Sequence, residues 1–177
     1  MDKRLTSLES PFNALIQGAS RGIGLEMVRQ LLEATDADAV FATARHPQMS
    51  DGLRALLDEH RARLHLVELD VTDEGSVVSA AGAVGAVTDH LHLLFNVSGI
   101  LHDPATGLAP EKSLRDIDPG QLHDSFAVNA IGPILVAKHF HSFFRHGRRA
   151  VLANMSARVG SIGDNGIGGW YGYRASK

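Results

Sequence analysis

Short apolar runs alternate along this chain with longer stretches whose apolar residues recur with a helical period. The runs cover residues 13–17, 39–44, 64–69, 91–96 and 149–155. Each is short and apolar on both faces, as expected of buried strands in a parallel sheet. The helical stretches cover residues 22–34, 52–61, 74–88 and 119–145, and Asp118-Pro119 supplies a cap and a first-turn proline for the last. The alternation predicts an α/β protein with successive strand-helix units around a parallel sheet.

One domain accounts for nearly the whole pattern. The sequence contains no internal repeat, low-complexity tract or linker, and we assign a polar tail to residues 1–11 and a single domain to residues 12–177. The tail carries Asp2, Lys3, Arg4 and Glu9 without an apolar core, so it is expected to be neither a signal peptide nor an anchor. Residues 100–117 form a long loop after the fourth strand, at the sheet edge where ligands of open sheets bind.

Composition narrows the class of partner. A net charge of -3 and a pI near 6.3 provide no basic surface for nucleic acid or an anionic membrane. No apolar run is long enough to cross a membrane. The chain has no cysteine, which excludes a disulfide framework, a thiolate metal site and a cysteine nucleophile, and is compatible with a cytoplasmic location. We therefore expect a cytoplasmic protein with a small-molecule partner.

A glycine-rich segment joins the first strand to the first helix. Glycines there let the chain turn tightly and let a pyrophosphate approach the amides of a helix N-terminus. Three glycines alone are often only a turn, and their spacing departs from the commoner dinucleotide fingerprint. A strand before them and a helix after them is the context that the motif requires. The candidate phosphate-binding residues are Gly18, Ser20, Arg21, Gly22, Ile23 and Gly24.

Residues at the ends of the next strands extend this candidate cofactor site. Enzymes that use NAD place an acidic residue after the second strand, whereas this chain has Arg45. Arg45 can bind a 2′-phosphate bidentately, with Arg21 as a second cation, which favours NADP over NAD. The alternative is that both are ordinary surface arginines. Asp70 and Val71 end the third strand, where an adenine can lie, and the fourth strand ends with Asn96, Ser98 and Gly99.

A tyrosine and a lysine at helical spacing provide candidate acid/base chemistry. Tyr173 and Lys177 are four residues apart, so on a helix both side chains reach the same ligand. A free tyrosine titrates near ~10, so proton transfer near neutral pH requires a neighbouring positive charge. Such pairs also occur by chance on solvated helices. Tyr171 does not meet the requirement, because Ala175 stands four residues after it.

Together these residues resemble the short-chain dehydrogenase/reductase family, and most closely its branch of small carbonyl reductases related to C-factor. The resemblance implies a Rossmann-type doubly wound parallel sheet, NADP (NADPH) as cofactor and a carbonyl or alcohol substrate. It also implies a catalytic tetrad of Asn129, Ser156, Tyr173 and Lys177. The resemblance covers residues 12–177 and depends on the motifs at residues 18–24, 70–71, 96–99, 126–132 and 173–177.

The family pattern implies a role for each member of the tetrad. Tyr173 donates a proton to the carbonyl, and Lys177 binds the nicotinamide ribose and lowers the tyrosine pKa. Ser156 binds the substrate oxygen. Asn129 lies within a predicted helix and helps to carry protons from the lysine to water. Pro133 follows it, and a proline inside a helix removes a backbone hydrogen bond, so an irregular turn near Asn129 is expected.

The serine departs from the family pattern. It usually stands three residues before a glycine, but three residues before Gly160 is Ala157, and Ser156 lies one position earlier. A slip of one residue turns a strand side chain to the other face unless a bulge restores it. Ser161 remains a possible substitute. The glycine-rich residues 163–169 are expected to loop out between Ser156 and Tyr173.

The end of the chain also departs from the pattern. The family continues through the rest of the tyrosine-lysine helix, two strands and a substrate lid, so we interpret residues 1–177 as the amino-terminal part of an NADP-dependent carbonyl reductase that is a homo-oligomer when complete. The short helix would fray, and the fifth strand would be an exposed apolar edge. The alternative is an NADP(H)-binding sensor or interaction module without turnover. No metal site is expected, because His139 and His141 face different directions on a helix.

Overall fold

Five parallel strands form the centre of the fold. The computed structural model describes residues 8–177. The strands lie in the order β3-β2-β1-β4-β5, so the chain starts in the middle of the sheet and moves outward in both directions. This confirms the five predicted strands and the parallel sheet. The strands are β1 (Phe12–Gln17), β2 (Ala37–Ala44), β3 (Leu64–Glu68), β4 (Leu93–Asn96) and β5 (Val151–Asn154).

Helices cover both faces of the sheet, as a doubly wound fold requires. Val28 of α1 and Leu53 of α2 lie in one apolar core cluster, on one face of the sheet. Val77 of α3 and Val136 of α5 lie in a second cluster, on the other face. The helices are α1 (Gly22–Ala34), α2 (Asp51–Glu59), α3 (Glu74–Gly85), α4 (Pro119–Phe126), α5 (Gly132–Phe140) and α6 (Tyr171–Ser176).

The predicted helix over residues 119–145 is wrong as a single rod. It consists of α4, a π-helical turn (Ala127–Ile131), α5 and a 3-10 turn (His141–Phe144). Pro133 has no N–H group to continue the α-helical bonding, and the N–H of Gly132 donates to the carbonyl of Ala127, five residues earlier. The expected irregular turn near Asn129 is therefore confirmed. The cap is confirmed as well, since the Asp118 side chain accepts from the N–H of Gln121.

The fifth strand is the exposed edge that the sequence led us to expect. β1 is buried throughout, but three of the four residues of β5 are exposed, so burial on both faces, as a buried parallel strand has it, is found for β1 and not for β5. The reason is its place in the sheet, because β5 pairs with β4 on one side and forms an edge on the other. Val151 and Leu152 are each 38% exposed at this edge.

The amino-terminal segment packs on the domain where it is described. Of the tail assigned to residues 1–11, residues 1–7, including Asp2, Lys3 and Arg4, lie outside the described residues. Leu8 is buried in a core cluster. The Arg148 guanidinium donates to the Glu9 carboxylate and to the carbonyl oxygens of Glu9 and Pro11. Within residues 8–177, no helix combines the length and the apolar character that a membrane crossing needs.

Candidate active site

The predicted site residues meet at the carboxyl ends of β1 and β4. The strand order reverses between these two strands, and ligands of open α/β sheets bind in the crevice at such a point. The loop after β1 leads into α1, and the loop after β4 runs past the π-helical turn and α6. The site is therefore assembled from segments that are far apart in the sequence.

Backbone geometry shapes the loop between β1 and α1. The N–H groups of Gly18 and Ala19 both donate to the carbonyl of Thr43, at 3.0 and 2.9 Å. A Cβ on Gly18 would lie 2.6 Å from the nitrogen of Ser98, so no side chain fits between the two loops. Gly22 has a φ of 56°, and a Cβ there would meet nothing within 4 Å. The start of α1 is thus bare backbone facing open space, which suits a phosphate.

Other residues of this loop are exposed or bound to the neighbouring helix. The Ser50 hydroxyl, at the start of α2, donates to the carbonyl of Ser20 at 2.7 Å. Ile23 is 61% exposed, whereas Gly24 is buried against Gly18, whose carbonyl oxygen lies 2.2 Å from the position of an added Cβ. Such an approach leaves room for glycine alone.

Two arginine side chains lie free beside the loop. Arg21 and Arg45 are both exposed, and neither side chain forms a hydrogen bond or an ion pair within residues 8–177. The exposed Arg54, by contrast, is paired with Asp51. Arg45 follows β2 directly, which is the position that discriminates between NAD and NADP in dinucleotide-binding folds.

Asp70 and Val71, in the loop that follows β3, have different environments. The Asp70 carboxylate accepts from the N–H and the hydroxyl of Thr72, at 2.9 and 2.7 Å. Val71 is buried, and a Cβ on Gly132 would lie 2.7 Å from the Cβ of Val71. The Val71 side chain therefore packs against the residue that directly follows the π-helical turn.

The end of β4 is fixed by two buried amides. Asn96 donates to Asn154 at 2.8 Å, while its Oδ1 is buried with no hydrogen-bond partner among the described residues. The hydroxyl of Ser98 donates to the side-chain oxygen of Gln17 at 2.7 Å. Gln17 is the last residue of β1 and was not among the site residues predicted from the sequence.

Asn129 connects the loop after β4 to α6. Its side-chain oxygen accepts from the N–H of Ile100 at 2.8 Å. Its amide nitrogen donates to the carbonyl of Ile100 at 2.9 Å and to the hydroxyl of Ser176 at 3.0 Å. The π-helical turn points this buried amide into the site, and all of its hydrogen-bonding groups except one lone pair are used.

The Lys177 ammonium lies close to Met155 after β5, to the Tyr173 ring and to Gly99 in the loop after β4. Its ammonium donates to the carbonyl of Met155 at 3.0 Å and lies 5.9 Å from the centroid of the Tyr173 ring. Burial lowers the pKa of the Lys177 ammonium below its ordinary value of 10.5. The Tyr173 ring is half-buried and meets the indole of Trp170 edge-on, with the ring centroids 6.3 Å apart.

Ser156 lies next to Lys177, but its hydroxyl is already bound. It donates to the main-chain carbonyl of Lys177 at 3.0 Å. Ser156, Asn129 and Lys177 line one open cavity of about 300 Å³. Ser161, the possible substitute, is exposed. The structure thus brings Asn129, Tyr173 and Lys177 together and places Ser156 against the main chain of the lysine.

Several residues that shape the site were not found from the sequence. Arg174 donates to the carbonyls of Val159, Gly168 and Gly169, and so fixes the glycine-rich segment that was expected to loop out. Glu111 is buried against the start of α6. Their partners lie in distant or irregular segments, for which periodicity provides no signal. Residues 8–177 contain no cluster of three or more histidine or acidic side chains suited to a metal ion.

Comparison with known proteins identifies the family. Residues 13–177 match the short chain dehydrogenase family. The chain belongs to this family of oxidoreductases. It is 32% identical over 163 residues to an uncharacterized oxidoreductase of Schizosaccharomyces pombe, covering 92% of this chain and 60% of the relative. It is 31% identical over 152 residues to an uncharacterized oxidoreductase of Bacillus subtilis, covering 85% of this chain and 50% of the relative. The chain thus spans a little over half the length of the curated relatives it matches.

Solved structures of carbonyl reductases have the same fold. The NADPH-bound carbonyl reductase from chicken fatty liver superimposes with a TM-score of 0.84 at 29% identity, over 97% of this chain and 68% of that protein. A carbonyl reductase from Pseudomonas aeruginosa in complex with NADP has a TM-score of 0.76 at 31% identity, over 94% of this chain and 70% of that protein. The Rossmann-type fold predicted from the sequence is confirmed.

Proposed function

We propose that this short chain dehydrogenase binds NADP(H) and transfers hydride between NADPH and a carbonyl or alcohol substrate, with Tyr173 as the general acid and base. The observation that carries the proposal is the position of the Lys177 ammonium, 5.9 Å from the centre of the Tyr173 ring and next to Gly99 and Asn129. A cation at this place stabilises a phenolate, which makes proton transfer from tyrosine easier. Family membership provides the reaction class.

The residues around the crevice fit a dinucleotide phosphate. The bare start of α1 at Gly22 offers backbone N–H groups and the positive end of a helix dipole to a pyrophosphate. Arg45 and Arg21 have unpaired guanidinium groups for a 2′-phosphate. The carbonyl reductases from chicken and from Pseudomonas aeruginosa were solved with NADPH and NADP bound, which supports the same preference here. Asp70, Val71, Asn96, Ser98 and Gly99 complete the proposed cofactor site.

The cofactor and the side chains of the site have different roles in the proposed reaction. Bound NADPH would be the hydride source for the carbonyl carbon. In reduction the Tyr173 hydroxyl would give a proton to the carbonyl oxygen, so that the carbonyl becomes an alcohol and the cofactor is left as NADP⁺. Lys177 stabilises the resulting phenolate and orients the ribose. Asn129 lies near the lysine, beside Gly99, and helps to carry protons from the lysine to water. Ser156 binds the substrate oxygen after its hydroxyl turns away from the Lys177 carbonyl.

One observation favours a second candidate, a protein that binds NADP(H) without turnover. The Ser156 hydroxyl donates to the main chain of Lys177, so it is not free to bind a substrate oxygen in this arrangement. The phosphate-binding residues at the start of α1 and the Arg45 side chain take no part in that contact. A cytoplasmic location, a single domain over residues 12–177 and a homo-oligomeric complete form stay predictions from the sequence.

Two substitutions test the proposal against its alternative. Tyr173→Phe should abolish oxidation of NADPH by a panel of aldehydes and ketones while leaving NADPH binding within about twofold. Tyr171→Phe is the matched control, since these are the two tyrosines of the chain, and it should retain turnover. NADPH binding without any turnover in the wild type would select the second candidate. Absence of NADPH binding would exclude both.

Arg45→Ala tests the choice of cofactor. Loss of a charge-assisted hydrogen-bond pair should weaken NADPH binding roughly tenfold to a hundredfold and leave NADH binding unchanged. Arg61→Ala removes an exposed arginine that pairs with Asp58 and is the control. Equal weakening of both nucleotides by Arg45→Ala would contradict a 2′-phosphate contact. Titration of the reduced nicotinamide fluorescence measures both affinities.

A further inference from the structure

A buried carboxylate lies at the start of the tyrosine-lysine helix. Among residues 8–177, the buried polar side chains include one carboxylate, that of Glu111, which is 7% exposed. Glu111 belongs to the long loop between β4 and α4 and is not part of any motif in the sequence. Burial of a carboxylate is unfavourable unless polar groups compensate for the lost water. The position of Glu111 therefore requires an explanation from its contacts.

The side-chain carboxylate and the main-chain carbonyl of Glu111 both accept hydrogen bonds from residues at the start of α6. Its side-chain Oε1 accepts from the N–H of Gly172 at 3.1 Å, and its main-chain carbonyl accepts from the N–H of Trp170 at 2.7 Å. Amides at a helix start have no acceptor within the helix. A carboxylate there supplies one and also interacts favourably with the helix dipole.

The chain enters α6 through a conformation that needs such a contact. Trp170 has φ 56° and ψ 40°, and it is the one non-glycine residue among residues 8–177 with a positive φ. This left-handed conformation is unfavourable for a large side chain. A Cβ on Gly172 would lie 2.9 Å from Oε1 of Glu111, so the helix start and the carboxylate are in direct contact. Tyr173 is the next residue.

The loop after β4 is therefore connected by hydrogen bonds to both ends of helix α6. At the carboxyl end, Asn129 connects Ile100, near the start of this loop, to Ser176. At the amino end, Glu111 connects the same loop to Trp170 and Gly172. We propose that Glu111 is a positioning residue, which fixes the Tyr173 ring in its place by binding the first turn of α6. The catalytic purpose of that placement rests on the proposed function.

Three variants separate this role from a general effect on the loop. Glu111→Ala removes the acceptor, and Glu111→Gln keeps an oxygen at the same position. Asp116→Ala is the matched control, because Asp116 lies in the same loop but accepts from Lys112 and Ser113 within the loop rather than from α6. Circular dichroism and a cooperative unfolding transition establish that each variant is folded.

Two measurements need no turnover. Trp170 is the single tryptophan of the chain, so its emission reports directly on the entrance to α6. Glu111→Ala should shift that emission and speed hydrogen exchange of the Gly172 amide roughly tenfold or more, the factor expected for loss of a hydrogen bond to a charged group. Glu111→Gln should restore both within about threefold, and Asp116→Ala should match the wild type.

Kinetics then connect the position of Tyr173 to the reaction. Glu111→Ala should lower kcat at least tenfold while KM for NADPH stays within twofold, and Glu111→Gln should recover most of kcat. An unchanged Trp170 emission and exchange rate in Glu111→Ala, equal changes in Asp116→Ala, or failure of Glu111→Gln to restore them would overturn the proposal. A wild-type chain that neither binds nor oxidises NADPH would refute the proposed function, while the emission and exchange data would still decide the role of Glu111.

Discussion

The ammonium of Lys177 lies so close to Gly99 that a Cβ on this glycine would be 2.8 Å from Nζ. The loop after β4 leaves room for the Lys177 ammonium because Gly99 has no side chain. The side-chain oxygen of Asn129 lies 3.3 Å from the same Cβ position. A side chain at residue 99 would therefore displace the lysine, the asparagine or both.

Gly99→Ala should displace the Lys177 ammonium from the Met155 carbonyl toward solvent. The pKa of Lys177 is lowered by burial, so a more solvated ammonium should titrate closer to 10.5, and NADPH should bind at least tenfold more weakly. NMR titration of the lysine side chain measures the first effect and nicotinamide fluorescence the second. Gly82→Ala is the control, since a Cβ there meets nothing within 4 Å in the middle of α3; it should stabilise the fold by about 0.5–1 kcal/mol. An unchanged Lys177 pKa in Gly99→Ala would contradict the steric argument.

Asn129→Asp should destabilise the fold more than Ser176→Ala does. The aspartate loses both donors and places a buried carboxylate against the carbonyl of Ile100, which is expected to cost about 2 kcal/mol or more. Ser176→Ala removes the neutral bond from Asn129 and the bond from the Ser176 hydroxyl to the Tyr173 carbonyl, a loss of about 1 kcal/mol each, but buries no charge. Denaturant unfolding of both variants measures the difference. Equal stabilities would mean that the buried carboxylate and the lost bond to Ile100 add nothing to the cost.

Acid should destabilise the protein through His92. This side chain is fully buried between β1 and β4, and its Nδ1 accepts from the N–H of Asn13 at 3.0 Å. The pKa of His92 is lowered from 6.5 to about 4, chiefly by burial and then by the charge of Arg148. His146 and His90 also lower it, and Glu9 acts in the opposite direction.

The pH window follows from these two pKa values. Between pH 6.5 and about 4 the unfolded chain binds a proton at His92 and the folded chain does not, so the free energy of unfolding falls as the pH falls. The stabilisation that depends on a neutral His92 is fully present above pH 6.5. About 3 kcal/mol of the free energy of unfolding should be lost by pH 4. His92→Asn keeps an acceptor for Asn13 without a titrating group, and urea unfolding across this range should show a flatter profile for it. A parallel profile for variant and wild type would exclude His92 as the cause.

Leu152→Lys should reduce self-association of the chain. Leu152 is 38% exposed on β5, the edge strand, and an exposed apolar edge favours pairing with another chain. Sedimentation equilibrium should show concentration-dependent association of the wild type and less of it in the variant. Val78→Lys changes an aliphatic side chain that is 49% exposed on α3 and should associate like the wild type. A wild type that is monomeric at every concentration would refute the prediction.

Local patterns predicted most of the sheet and part of the site. β1 and β3 occur within one residue of the apolar runs that predicted them, since each run is short and bounded by residues that favour turns. Tyr173 and Lys177 were found because they stand four residues apart, which is about one helical turn. α3 ends at Gly85 rather than near residue 88, and α2 begins at Asp51 rather than Gly52, which are ordinary uncertainties at helix ends.

Non-local contacts account for what was missed. The bond between Glu111 and Gly172 spans 61 residues. The Ser156 hydroxyl binds a main-chain carbonyl 21 residues away, and no spacing rule predicts such a partner. These relations follow from how segments pack after the sheet has formed, which a one-dimensional pattern does not contain.

The π-helical turn between α4 and α5 has a consequence for the length of the chain at this point. A regular α-helix advances about 100° per residue, and a π-turn accommodates one residue more than an α-turn. Deleting one residue within Ala127–Ile131 would restore a continuous α-helix and leave α5 in nearly the same rotational position, because the extra residue of a π-turn adds no net rotation. Val136 and Phe140 would still face the sheet, but the turn that points Asn129 into the site would be lost. A deletion in this segment should therefore leave the packing of α5 intact and remove the buried amide from the site.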